Sequence, residues 1–255
     1  MNLYNAIFAR KSIRHFLMEP ADKEVLSDIG QFYEGIPSLF PGIQTEIGIT
    51  TNVDGRNTPF ALFSVKAPYY LTIYSEKKDK YEMNAGYICE QLSLYMMTLG
   101  LGSCFLGGTS VPKNARLRGT KEFVIMMAFG KPKEPLTRRP GEAKREELKD
   151  LCVYKEQPAK WVNEVLEAAR LAPSALNSQP WRFVIMGNRI HIFSKKPDIT
   201  HSGRWDEFDF GILFAHIMVA ADELWLDLDL IRLENISQKN FKSSQYVLSA
   251  LLKNE

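Results

Sequence analysis

Four short strings hold the residues whose types and spacing could do chemistry. Arg10-Lys11-Ser12-Ile13-Arg14 gathers three cations and a hydroxyl near a helix end. Arginine forks pair well with phosphate oxygens, and a serine hydroxyl adds a donor. Cations at a helix C-terminus also complement its dipole or form a solvated face. The string APSALNSQPW, residues 172–181, holds small and amide-bearing side chains between two prolines. Proline fixes the backbone and withholds a donor, which stiffens the loop. Ser174, Asn177 and Gln179 both give and accept hydrogen bonds, so the set can read a hydroxylated chain or a heterocycle edge. Alternatively the string is a turn and a strand start, with Asn177 and Ser178 satisfying backbone groups. In GLGSCFLGG, residues 100–108, the glycines permit close approach to a flat ligand or simply stop a helix before a strand. There is no G-x-G-x-x-G fingerprint to support a dinucleotide site. Arg138-Arg139, by itself, is an ordinary solvated charge pair.

Other chemistries find little support. Cys89, Cys104 and Cys152 are odd in number, far apart and lack CxxC spacing, which argues against a disulfide framework or zinc site and for reduced thiols in the cytoplasm. His15, His191, His201 and His216 show no metal-ligand spacing, and no Ser-His-Asp or Cys-His set is apparent. A formal charge of +2 leaves no electrostatic footprint for nucleic acid. The N-terminus has no secretory pattern, and no run reaches the roughly 18 apolar residues of a membrane span. Apolar residues form 45% of the 255, enough for a substantial core.

The elements that must position these strings can be read from apolar spacing. Helices are expected at 3–14, from Asp22 to about Gly35, at 83–99, 161–171 and 210–226. Extended segments are expected at 46–51, 69–74, 123–129, 183–186 and 190–193. Residues 141–157, rich in charge after a proline cluster, read as a surface linker. It divides a first half, 1–140, from a second, 158–255. The order of elements restarts after it. Ile36-Pro37-Ser38 and Ala172-Pro173-Ser174 each close a helix, Leu71-Thr72-Ile73-Tyr74-Ser75 resembles Ile190-His191-Ile192-Phe193-Ser194, and Asn84-Ala85-Gly86 matches Asp209-Phe210-Gly211. These parallels predict an internal duplication.

Together the strings resemble the nitroreductase superfamily of FMN-dependent enzymes. RKSIRHF is similar to its N-terminal basic strip, APSALNSQPW to its QPW loop, GLGSCFLGG to its helix end and glycine-rich strand, and FVIMMAFGKPKEPLTRRP to its closing strand and basic segment. The QPW loop lies in the second half, whereas the usual place in the first half holds Ile36-Pro37-Ser38-Leu39-Phe40-Pro41-Gly42. Each half thus keeps what the other lost, and the chain resembles a branch of single-chain, duplicated nitroreductases.

The resemblance implies an α+β fold of two half-units, each a mainly antiparallel sheet with helices, forming an intrachain pseudo-dimer with one composite FMN site. By resemblance, Arg10 and Ser12 would contact the phosphate or ribityl chain with Lys11 nearby, and Arg138 or Arg139 would complete the phosphate clamp. Arg14 would lie at the pyrimidine edge, where a cation stabilises charge that develops on reduction. Leu106, Gly107 and Gly108 would pass along the ring near N5. Pro173, Ser174, Asn177 and Gln179 would come from the other half, and Trp181 would be core. No side chain is expected to be a nucleophile. NAD(P)H would pass a hydride to the flavin and leave, and a small nitroaromatic or quinone-like acceptor would then take two electrons. Alternatives are a specialised reaction such as dehalogenation or enone reduction, and a flavin-binding or sensory module without turnover. The expected assembly is a monomeric pseudo-dimer or a homodimer.

Overall fold

A computed structural model describes residues 1–59, 65–109, 120–139, 141–196, 203–238 and 244–253. His201 lies outside the described residues. The chain divides into two compact units, Met1–Glu142 and Ala143–Glu255.

In the first unit, α1 (Leu3–Ala9) and α2 (Lys23–Gly35) precede β1 (Thr45–Thr51), β2 (Tyr69–Ser75), α3 (Tyr81–Thr98), β3 (Gly102–Leu106) and β4 (Glu122–Gly130). The Asn2 side chain caps α1 by accepting from the Asn5 amide at 2.8 Å. The sheet order is β1-β2-β4-β3, antiparallel throughout. Every residue of β2, YYLTIYS, is buried, as an aromatic and β-branched central strand requires. α3 has buried residues on all sides, so it shows no amphipathic stripe. It ends in a Schellman turn: the amide of Gly100, at φ +79°, bonds Met97 O, and the Leu101 amide bonds Met96 O.

In the second unit, α4 (Leu148–Leu151) and β5 (Cys152–Tyr154) precede α5 (Lys160–Ala169), β6 (Trp181–Met186), β7 (Arg189–Lys195), α6 (Asp206–Glu223), β8 (Leu228–Ile231), α7 (Glu234–Ser237) and β9 (Ser244–Leu252). Its sheet runs β5-β6-β7-β9-β8, with β5 parallel to β6 and the other pairs antiparallel. Without β5, this is the strand order of the first unit. The likeness extends to detail. The β2–β4 register slips between Ile73 and Tyr74, and the β7–β9 register between Ile192 and Phe193. Beside each slip an edge-to-face aromatic pair spans the ladder, Tyr74–Phe123 at 5.9 Å and Phe193–Tyr246 at 5.6 Å. α6 ends as α3 does, with Trp225 at φ +56° where the first unit has Gly100. Its amide bonds Asp222 O, and the Leu226 amide bonds Ala221 O.

Three expectations need correction. The helix expected over 3–14 stops at Ala9, because residues 10–16 leave it for backbone bridges, Arg10 to Thr137 and Phe16 to Pro132. The 141–157 stretch is more than a linker: Cys152–Tyr154 pairs with Phe183–Ile185. The helix expected from 210 begins a turn earlier, at Asp206, because Asp206, Glu207 and Asp209 suit a helix N-terminus.

Candidate functional site

In the first unit, the basic strip is extended between β3 and the segment 131–138. The Ile13 amide bonds Ser103 O at 3.0 Å, the Leu17 amide bonds Lys131 O at 2.9 Å, and the Lys133 amide bonds His15 O at 2.9 Å. Ile13 and Phe16 enter a core with Cys104, Leu106 and Met126, against which Leu136 packs. Gly102 permits this approach, since a Cβ there would lie 2.5 Å from Ile13 Cγ1. Ser12 is half-buried and Arg14 exposed. Neither side chain has a hydrogen-bond or ion-pair partner among the described residues. Lys11 Nζ lies 3.6 Å from Glu134 Oε2, a half-exposed pair.

Arg10 turns inward. Its side chain is 6% exposed; Nε donates to Ser93 Oγ at 2.9 Å and lies 3.4 Å from Oε1 of the fully buried Glu90. Ser93 Oγ in turn shares a 2.8 Å hydrogen bond with Ser103 Oγ. The guanidinium stands 5.9 Å over the Phe105 ring, and Nη2 has no hydrogen-bond partner among the described residues. This network ties the strip to α3 and β3. Burial pushes the Cys104 thiol up, and the charges of Arg14 and Arg10 oppose that shift. The cationic field of the strip therefore reaches β3. Leu106 is buried, and the exposed Gly107 and Gly108 continue from it. Gly108 has φ +74° and open space where a Cβ would be.

Arg138 is committed to the fold: Nη2 and Nε donate to Ile7 O and Phe8 O, both at 2.9 Å, at the C-terminal end of α1. Arg139 is exposed, with Nε 3.9 Å from Glu142 Oε1. The structure thus gathers Arg10, Lys11, Ser12, Arg14, Leu106, Gly107 and Gly108 about one strip and strand, and puts Arg138 under α1.

In the second unit, the QPW loop is strained and closely tied. Leu176, Asn177 and Gln179 have φ of +53°, +57° and +46°, the left-handed region that non-glycine residues seldom enter. The buried Asp209 carboxylate accepts from the Ala175 amide at 3.0 Å and 3.1 Å. Burial, reinforced by the charge of Asp206, raises its pKa well above the usual carboxylate range against the lowering effect of that amide. Ser174 Oγ accepts from the Gln179 amide at 2.9 Å, and Gln179 Oε1 accepts from the Glu146 amide at 2.8 Å. Asn177 Oδ1 accepts from Arg145 Nη1 at 2.6 Å, while its Nδ2 donates to Lys144 O at 2.9 Å. Pro173 is buried, Trp181 is fully buried, and Leu176 is 95% exposed. In the first unit Asn84 does the work of Asp209: its Oδ1 accepts from the Leu39 amide at 2.8 Å and from Ser38 Oγ at 3.0 Å.

Sequence reasoning missed Glu90, Ser93, Arg145 and the bonding role of Asp209. Glu90 carried a signal, as an ionisable residue between Cys89 and Leu92 in a largely apolar helix. Arg145 carried none among the many charges of 141–157.

The strip fits an anionic ligand. Lys11, Ser12 and Arg14 present donors, and Arg10 Nη2 is a buried donor without an acceptor among the described residues. Among the described residues, no group of three His, Cys, Asp or Glu could hold a metal, and no helix is long and apolar enough to cross a membrane.

Comparison with known proteins agrees with this architecture. The chain is similar to a nitroreductase-like structure from Thermotoga maritima, at 23% identity and a TM-score of 0.65, covering 99% of this chain and 94% of that one. It is also similar to a nitroreductase family protein from Clostridium difficile, at 16% identity and a TM-score of 0.49, covering 62% and 100% of the two chains. A C. difficile protein described as an FMN-dependent nitroreductase matches at 19% identity and a TM-score of 0.42, over 51% of this chain and 87% of that one. No curated protein matches. The fold is therefore the α+β nitroreductase type. Residues 2–221 match the family model described as "Putative TM nitroreductase", and the chain belongs to that nitroreductase family.

Proposed function

We propose that this protein is an FMN-dependent oxidoreductase that carries electrons from NAD(P)H to a small, flat, electron-poor acceptor, nitroaromatic or quinone-like, in a ping-pong cycle. The observation that carries this reading is the strip of Lys11, Ser12 and Arg14, hydrogen-bonded through Ile13 to β3, the strand that leads into the exposed Gly107 and Gly108, in a chain of the nitroreductase family. Lys11 and Ser12 would hold the phosphate and ribityl oxygens, with Arg10 Nη2 supplying a further donor. Bound FMN would supply two-electron acceptance and return. The charge of Arg14 would stabilise the negative charge that develops at the pyrimidine edge. The bare glycines would leave room for donor and acceptor to take turns at one face. No side-chain nucleophile is required.

The two units are read as copies of one ancestral half-unit. Shared strand order, paired register slips, matching helix ends and the Asn84–Leu39 and Asp209–Ala175 bonds support this. On that reading the chain is its own pseudo-dimer, alone or in a homodimer. Pro173, Ser174, Asn177 and Gln179 would serve the same flavin as the basic strip. The rest of the proposal is a soluble cytoplasmic enzyme acting on small molecules.

The test is the absorbance spectrum of purified protein, titrated anaerobically with NADH and then NADPH. The expected result is a flavin spectrum that a nicotinamide bleaches and a quinone restores. Protein that stays colourless after FMN addition would overturn the proposal. A bound flavin that neither nicotinamide reduces would replace it with a binding module lacking turnover.

A further inference from the structure

The first unit contains a cleft of about 410 Å³ that the flavin reading does not use. It is lined by Asp28, Gln31, Phe32 and Gly35 of α2, by Gln91 and Tyr95 of α3, and by Leu3, Ile36 and Pro37. The α2 residues recur at helical spacing, so they form one stripe, and Gln91 and Tyr95 form another. A stripe turned toward a neighbouring helix is ordinarily apolar. Here the cleft opens to solvent, with Gln31 and Gly35 exposed and Asp28, Phe32, Gln91 and Tyr95 half-buried, so its walls carry a carboxylate and two amides. Neither the Asp28 carboxylate nor the Gln31 amide has a hydrogen-bond or ion-pair partner among the described residues.

The gap has an identifiable cause. The Phe32 and Tyr95 rings stack face to face, with centroids 4.0 Å apart and planes 7° from parallel, and stand between the two helices. In the second unit α5 and α6 touch directly, with His216 Nδ1 2.9 Å from Ala168 O, and Ala168, Ala169 and Ala220 on these helices are fully buried. Two large rings in the first unit thus hold open what small residues seal in the second.

We infer that this cleft is a binding site for a small planar aromatic cation. The volume suits a molecule of one or two rings. The Phe32 and Tyr95 rings give the cleft an aromatic lining against which a flat ring can pack. Asp28 provides the opposite charge, and the Gln31 and Gln91 carbonyl oxygens can accept from the N–H groups of an amidinium or aromatic amine. An anionic ring would face Asp28 without compensation.

The experiment is a ligand-observed NMR titration of the full-length protein with benzamidine at constant ionic strength. Benzoate serves as the anionic counterpart. Asp28→Asn removes the charge, and Glu24→Gln removes an exposed carboxylate from the same helix outside the cleft. Saturable benzamidine binding, weakened at least tenfold by Asp28→Asn and less than twofold by Glu24→Gln, with no saturation by benzoate, is expected. Unchanged thermal midpoints would show both variants folded. Absence of saturation, equal effects of the two substitutions, or equal binding of benzoate would overturn the assignment. None of these readings depends on a flavin.

Discussion

Replacing Arg10 with alanine removes the cation beside the carboxylate of Glu90, which is 0% exposed. At the observed 3.4 Å, the pair attracts by about 5 kcal/mol at an effective dielectric of about 20. Most of that attraction offsets the desolvation of the two ions, so the net value of the pair is small. The single substitution keeps the desolvation cost and loses the attraction, which sets a loss of about 3–5 kcal/mol. It also removes the donor to Ser93 Oγ, worth about 1 kcal/mol. With a urea slope of about 2 kcal/mol per molar, the midpoint falls by roughly 2–3 M. The double replacement Arg10→Met with Glu90→Met puts apolar volume in both places and should recover most of the stability. Urea unfolding followed by circular dichroism, completed as a double-mutant cycle, measures both. FMN affinity should stay low in the double variant, because the strip has lost its anchor to α3. An Arg10→Ala loss below about 1 kcal/mol, or a double variant no more stable than Arg10→Ala, would refute the idea that a buried charge pair anchors the strip.

Gly102→Ala forces a methyl into Ile13 and should cost about 1–3 kcal/mol, read by urea unfolding, with a parallel loss of FMN affinity as the strip shifts. Asp209→Asn should be neutral or stabilising above the ordinary carboxylate range, since Asn84 already performs the same bonding. The sign follows from linkage: the raised pKa means wild-type stability falls as pH climbs from about 4 toward the folded-state pKa, while the asparagine variant lacks this fall. Thermal midpoints across a pH series should therefore diverge in favour of Asp209→Asn as pH rises, and parallel curves would contradict this. Trp225→Gly should raise stability by about 0.5 kcal/mol, because relief of about 1 kcal/mol of left-handed strain is partly offset by the freedom of glycine when unfolded. Trp225 is 95% exposed, so little packing is lost; a decrease above about 1 kcal/mol in the same unfolding assay would contradict that account.

Apolar spacing alone revealed most elements, because both sheets follow simple alternation or full burial and both long helices are bounded by turn residues. The strip at 10–14 misread as helix because local propensity says nothing of partners far off in the chain, and Thr137 and Ser103 are those partners. The same limit hid β5: three residues in a charged stretch become a strand only because β6 offers them an edge. At the site, residue types announced themselves but side-chain directions did not. Arg10 and Arg14 differ by four positions in one motif, yet one is buried against Glu90 and the other lies in solvent. The amides of the QPW loop read as ligand groups by type, while in the fold Asn177 and Gln179 meet the backbone of 144–146.

The placement of β9 has a consequence for how the second unit is made. Ser244–Leu252 follows every other strand of its sheet in sequence, yet lies between β7 and β8. While the ribosome has delivered only as far as β8, the β6–β7 hairpin has one bare edge and β8 has no neighbour to pair with. The nascent second unit must therefore wait, shielded or at risk of sticking to other chains, until one last nine-residue segment slides in and joins its two sides.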